Sequence, residues 1–193
     1  MQSPAFDKIK TLIVEDDKSV LTIYKIGLRE EVFEKNFLTN GNDALEAYLK
    51  WKPDILILDI MLPGTSGYAI LKAIKEEAQS VETAIMMATS LSDREAVLDC
   101  LSLGIQGYIV KPFTHKEVSQ RVLGYYRKTN PERAEAALAL LDALNEASAA
   151  DNSQANAAPQ NEPIESETPS ASQDLQEETP GHPGGVSVEA GLS

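Results

Sequence analysis

An α/β fold with a doubly wound, five-stranded parallel sheet is what this 193-residue sequence predicts. Three observations lead there. Strand-like and helix-like patterns alternate five times between residues 7 and 128, the signature of successive βα units. The strand segments are continuous apolar runs rather than alternating ones, as in a sheet covered by helices on both faces. Polar and charged residues then follow these runs at their carboxyl ends, where such sheets place their ligands.

The elements follow in order. Residues 10–15 are a short apolar run ending in acid, and residues 17–30 carry Val20, Leu21, Tyr24, Ile26 and Leu28 at helical spacing. Residues 33–39 are half-polar, which predicts an edge strand. A helix over 42–51 follows Asn40-Gly41. Residues 54–59 contain Ile-Leu-Ile-Leu between acids, a buried-strand pattern. Pro63-Gly64-Thr65-Ser66-Gly67 is a turn before a helix over 67–77. Residues 84–88 are apolar again. Ser92-Asp93-Arg94-Glu95 reads as a capping box opening a helix to about Leu103. Residues 106–110 form the fifth strand. Thr114-His115-Lys116-Glu117 is a second capping box, opening a helix over 115–127. A further helix is expected over 130–147, with Asn130 as N-cap, Pro131 in the first turn, and Ala134, Leu138 and Leu141 on one face. It reads either as a docking or dimer helix or as an extension resting on the domain. The second is favoured, because a few leucines make a poor coiled coil.

The charge is unevenly placed. Of the net −13, residues 1–128 carry −2 (16 Lys/Arg against 18 Asp/Glu) and residues 129–193 carry −11 (1 against 12). Residues 148–193 have no Lys or Arg and only five Ile, Leu or Val. They cannot bury enough apolar surface to offset ordering entropy, so this acidic tail is expected to be disordered, and an inert extension is its simplest reading. The organisation expected is a folded domain over 7–128, a helical extension over 130–147 and a tail over 148–193. The acidity argues against nucleic-acid coating and against adhesion to anionic lipid. One cysteine, Cys100, gives no intrachain disulfide. The longest apolar runs are too short to span a bilayer, and the start lacks the features of a signal peptide. A cytoplasmic location is expected.

Chemistry is concentrated at the strand ends. The first strand ends in Glu15-Asp16, then Asp17. The third ends in Asp59, the fourth in Thr89-Ser90 and the fifth in Lys111-Pro112. Carboxylates gathered on one rim repel one another, and a hard divalent cation together with an ammonium neutralises them most simply. An all-oxygen set suits Mg²⁺; the two histidines, His115 and His182, are far apart and make no zinc motif. Asp59 is the candidate nucleophile, able to accept a phosphoryl group as an acyl phosphate. Lys111 and the Thr89 hydroxyl would grip the phosphate oxygens. Each piece has a plainer reading: Asp17 as a helix cap, Asp59 as a turn residue, Lys111 as a solvated strand exit, Thr89-Ser90 as a loop start. The signal lies in their conjunction on separate strands.

The segments Leu12 to Asp17, Pro53 to Gly64, Met86 to Ser90 and Gly107 to Phe113 resemble the receiver domain of two-component response regulators. The resemblance covers about residues 8–127. It implies a flavodoxin-like sheet of order 2-1-3-4-5. It also implies that Asp59 receives a phosphoryl group from a sensor histidine kinase or phosphotransfer protein. Glu15 and Asp16 become the acid pair, and Mg²⁺ is bound by Asp16 and Asp59 with the backbone carbonyl of Met61. Thr89 becomes the switch hydroxyl, Tyr108 the switch aromatic and Lys111 the phosphate-binding amine, with a Lys111–Pro112 bond that is often cis. Phosphorylation would shift the face made by the fourth helix, fifth strand and fifth helix, through which a downstream protein partner binds. A late-strand aromatic such as Tyr108 is, on residue type alone, more often core.

Met61 and Leu91 are apolar where the family's hydrolytic water passes, so slow self-dephosphorylation is expected. The region after residue 128 has too few cations for a DNA-binding output and no folded size for an enzymatic one, which suggests a stand-alone receiver acting by protein contact. Two other readings are a phosphorylation-independent pseudo-receiver and an Mg²⁺-dependent phosphatase or phosphotransferase. The first usually lacks an acid or the lysine. The second needs a general acid two residues after the nucleophile, where this chain has Met61.

Overall fold

The computed structural model describes residues 6–77, 82–90 and 94–155. The element order is β1 (Ile9–Val14), α1 (Lys18–Gly27), β2 (Phe33–Leu38), α2 (Ala44–Trp51), β3 (Ile55–Asp59), α3 (Gly67–Glu77), β4 (Ala84–Ser90), α4 (Arg94–Ser102), β5 (Gly107–Lys111), α5 (His115–Tyr126) and α6 (Pro131–Ala155). The five strands form one parallel sheet in the order β2-β1-β3-β4-β5. The half-polar β2 lies at an edge, as its sequence requires.

Alternate residues of each inner strand point to opposite faces, and both faces are covered. Ile9, Ile13, Ile55, Ile57, Met86 and Ala88 pack with Leu21, Tyr24, Val118, Val122 and Leu123 of α1 and α5. Leu12, Val14, Leu56, Leu58, Ile85 and Met87 pack with Ala44, Tyr48, Ile70, Leu71 and Ile74 of α2 and α3, and with Cys100 of α4. This two-sided burial is why the strands read as continuous apolar runs.

Helix starts are set by side chains in some places and by backbone in others. Asp17 Oδ1 accepts from the Ser19 and Val20 amides at 2.7 and 3.3 Å, so the plain reading of Asp17 as a cap holds. The second capping box does not form. Thr114 is the N-cap of α5 but its side chain makes no capping bond. The Glu117 amide donates instead to the Thr114 carbonyl at 3.2 Å. The first proposed box includes Ser92 and Asp93, which lie outside the described residues, as does Leu91.

The C-terminal helix begins where the sequence places it, with Asn130 Oδ1 accepting from the Arg133 amide at 3.1 Å. It runs further than expected, to Ala155 rather than residue 147, so residues 148–155 are helical and not part of a disordered tail. Burial is the wrong criterion for that stretch. Alanines need no buried surface to continue an established helix, and the segment contains neither Gly nor Pro. Ala134, Ala137 and Leu141 of α6 are buried in the same cluster as α1 and α5. Arg133 anchors the helix to the opposite rim from the acids. It reaches Asp54 Oδ1 at 2.5 Å, the Tyr126 hydroxyl at 3.1 Å, and the Lys8 and Asp7 carbonyls at 3.3 and 3.4 Å.

Candidate functional site

The strand order brings the ends of β1 and β3 side by side, with Val14 paired to Leu58. Glu15 and Asp59 are therefore neighbours on one rim. Glu15, Asp16 and Asp59 each present a carboxylate oxygen within 4.8 Å of the others. Glu15 is fully buried, Asp59 nearly so, and Asp16 exposed. Beyond β5, the Lys111 side chain reaches across to them. Its Nζ donates to Asp59 Oδ2 at 2.7 Å and to Glu15 Oε1 at 2.9 Å. It also lies 2.7 Å from Glu15 Oε2, but without hydrogen-bond alignment, so that oxygen has a charge beside it and no true donor.

These contacts set the protonation chemistry. Burial pushes the Glu15 carboxyl up to about 7; the Lys111 hydrogen bond opposes this and the Asp59 charge adds to it. Burial by itself would lower the Lys111 ammonium. Hydrogen bonds to Asp59 and Glu15, and their charges, outweigh it and raise Lys111 above its usual range. Exposed Asp17 is held below the carboxylate range by the Ser19 and Val20 amides.

Local backbone geometry holds Asp59. The Met61 amide donates to Asp59 Oδ1 at 3.1 Å, and the Gly67 amide donates to the Ile60 carbonyl at 3.0 Å. A Cβ at Gly67 would fall 1.9 Å from the Asp59 carbonyl oxygen, so only glycine allows α3 to start this close to β3. The β3–α3 loop is tied in turn to the β2–α2 loop. The Gly41 amide donates to the Pro63 carbonyl at 3.3 Å and Thr65 Oγ1 to Asn42 Oδ1 at 3.2 Å.

Thr89 lies near the end of β4, buried and beside Val110, one residue beyond the Asp59–Ala88 pair. Its hydroxyl donates to the Ser90 carbonyl at 3.0 Å. Tyr108 is the second residue of β5, paired with Met87, and its side chain is 40% exposed. The core alternative for Tyr108 therefore fails. Tyr125 donates its hydroxyl to the Tyr108 carbonyl at 3.0 Å. The Met61 side chain is 69% exposed, and the Lys111–Pro112 peptide is cis. Sequence reasoning missed the loop tie between Asn42 and Thr65 and the position of Tyr24 against Phe113, with ring centroids 5.1 Å apart. Neither leaves a local signal, since each pair is remote in sequence.

The donor set is carboxylate oxygen throughout, and the buried Glu15 Oε2 has no hydrogen-bond donor. The cluster is thus compatible with a hard cation such as Mg²⁺.

Residues 11–123 match the family model described as "Response regulator receiver domain". The chain is 34% identical over 126 residues to the DNA-binding response regulator MtrA of Mycolicibacterium paratuberculosis, covering 65% of this chain and 55% of that one. It therefore spans about half the length of the curated relatives it matches. Among solved structures, it is similar to the response regulator DrrB of Thermotoga maritima, an OmpR/PhoB homologue, with 31% identity and a TM-score of 0.55 over 63% of this chain and 54% of that one. It is also similar to the chemotaxis response regulator CheY4 of Vibrio cholerae, with 28% identity and a TM-score of 0.54 over 60% of this chain and 99% of that one. With its 2-1-3-4-5 parallel sheet and the acids gathered at the ends of β1 and β3, this chain belongs to the family of response regulator receiver domains.

Proposed function

We propose that this protein is a phosphorylation-switched receiver whose phosphoacceptor is Asp59. One observation carries the reading: an ammonium, Lys111 Nζ, is hydrogen-bonded to Asp59 Oδ2 and to the buried Glu15 beside it. An Asp59 carboxylate oxygen attacks the phosphorus of a phosphohistidine on a sensor kinase or phosphotransfer protein. The P–O bond forms as the P–N bond breaks, and the electron pair leaves with the imidazole nitrogen, which takes up a proton. Lys111 neutralises charge on the incoming phosphoryl oxygens, and the Thr89 hydroxyl donates to one of them. Glu15, Asp16 and Asp59, with the Met61 carbonyl, would hold Mg²⁺, which supplies further neutralisation of the transferred group.

Phosphorylation draws Thr89 toward the phosphoryl group and lets the exposed Tyr108 move inward, remodelling the α4–β5–α5 face for a downstream protein. The function is stoichiometric signalling in the cytoplasm rather than turnover. Among the described residues, no helix is long and apolar enough to cross a membrane. MtrA is named as a DNA-binding regulator; the output proposed for the residues here is protein contact instead, without nucleic acid.

Incubation with acetyl phosphate and Mg²⁺ tests the reading by intact mass. One phosphoryl group per chain is expected, absent in Asp59→Ala. No uptake would leave a pseudo-receiver, and multiple turnover of the donor would indicate a phosphatase. The phosphoprotein is expected to be long-lived, because Met61 and Leu91 are apolar; decay within seconds contradicts that expectation.

A further inference from the structure

Between the end of α1, the first half of α5 and the middle of α6 lies a cavity of about 190 Å³. Ile26 and Leu141 form its apolar wall; Leu141 is buried, whereas Ile26 is 60% exposed. The polar wall holds the cations Arg29 and Lys116, with Gln120 and Asn145 beside them. Among the described residues no carboxylate lines it, although the chain carries a net charge of −13. The acids that neighbour these cations in sequence are engaged: Glu30 with Lys35 at 3.6 Å and Glu117 with Arg121 at 3.7 Å. Glu31 takes one nitrogen of Arg29, Nη2, at 3.3 Å. Arg29 Nη1 meets Asn145 Oδ1 only at 3.5 Å, beyond the usual bonding range. A guanidinium has five N–H groups, so Arg29 retains donors for an anion. The Ser119 hydroxyl, also in the wall, is committed to the Gly27 carbonyl and ties α5 to α1.

We propose that this cavity is a binding site for a small organic carboxylate with a ring-sized apolar body. Its volume exceeds the ~150 Å³ that suffices to hold a benzene ring, and it is too small for a larger ligand. The apolar body lies over Ile26 and Leu141, which removes the exposed Ile26 side chain from water. The carboxylate meets the fork of Arg29, whose paired N–H groups match its two oxygens, and the Lys116 ammonium. Gln120 and Asn145 add amide donors at the rim. Leu141 and Asn145 belong to α6, beyond the receiver segment 11–123, so the site depends on this chain's own extension. It stands apart from the acid site and does not depend on the phosphoacceptor reading.

Benzoate is the probe, titrated into the isotope-labelled full chain without Mg²⁺ and followed by amide NMR shifts. Saturable shifts are expected at Arg29, Lys116, Gln120 and Asn145, with a dissociation constant of about 1 mM or tighter. Benzamide, the neutral analogue of the same shape, should bind at least about tenfold more weakly. The double variant Arg29→Gln, Lys116→Gln should lose about tenfold in benzoate affinity, and Gln120→Trp, which fills the cavity from an exposed position, should abolish binding. No saturation by about 20 mM benzoate overturns the proposal. So does equal binding of benzamide, which decides the matter in wild type even if a variant does not fold. Shifts centred on Lys111 and Asp59 would place the anion at the acid site and overturn it as well. An acidic peptide that shifts the same amides where benzoate does not would make the cavity a protein contact and overturn the small-ligand assignment.

Discussion

Replacing Lys111 by Met removes the single ammonium that Glu15 and Asp59 share while roughly keeping its volume. Lys111 Nζ lies 2.7 Å from Asp59 Oδ2 and from Glu15 Oε2. At an effective dielectric constant near 20, each such contact is worth about 6 kcal/mol before desolvation is counted. Two effects reduce the loss. The methionine no longer has to bury a charge, since Lys111 is itself only 21% exposed. Glu15 can also escape by binding a proton, its carboxyl already standing at about 7. Asp59 then remains as the uncompensated buried charge. A net destabilisation of about 3–5 kcal/mol at pH 7.5 is expected, the range for one-sided removal of a buried pair. Urea unfolding measures it. The deficit should shrink at pH 5.5, where Glu15 is protonated, and on adding Mg²⁺. A loss below about 1 kcal/mol at pH 7.5, the value typical of an exposed ion pair, would refute the reasoning.

The same buried carboxyl predicts a pH dependence in wild type. The folded protein holds the Glu15 proton more tightly than an ordinary carboxyl at 4.5 does. The associated stability is complete below pH 4.5 and is lost as pH rises through about 7. It amounts to on the order of 3 kcal/mol, visible in Mg²⁺-free unfolding curves. Glu15→Gln should abolish that slope, and an unchanged slope would assign it to another group. Gly67→Ala places a methyl against the Asp59 carbonyl oxygen. It should cost about 1–3 kcal/mol by overpacking and slow phosphorylation; a fully active, equally stable variant contradicts the close approach. Arg133→Ala breaks the link to Asp54 and to the first strand's lead-in. It should lower stability by roughly 1–2 kcal/mol and speed hydrogen exchange in α6, and unaltered protection there would show that the anchor is dispensable.

Much of the architecture is legible locally. The Ile-Leu-Ile-Leu run within 54–59 reads as a buried strand and the half-polar 33–39 as an edge strand, and β3 and β2 are found as such. Both inferences concern short-range patterning, which neighbouring elements leave intact. The boundaries that shifted did so where context decides. Thr114 caps through its carbonyl instead of its hydroxyl. Helix α6 outruns the composition argument because alanine extends a helix without a core of its own. The acid cluster was foreseeable from the strand ends. The Tyr24–Phe113 contact and the Asn42–Thr65 tie were not, since their partners lie on segments far apart in sequence.

Residue order by itself determined which side chains carry charge and that each falls at the end of a strand, because alternation and apolar runs depend on near neighbours. Only tertiary structure decided that Lys111 meets a glutamate 96 residues away and that the Tyr24 ring packs against Phe113. Those meetings depend on the order in which parallel crossovers stack the strands and on how closely helices such as α3 approach them. Both are settled when both faces of the sheet are covered at once, and no local window of residues contains that information.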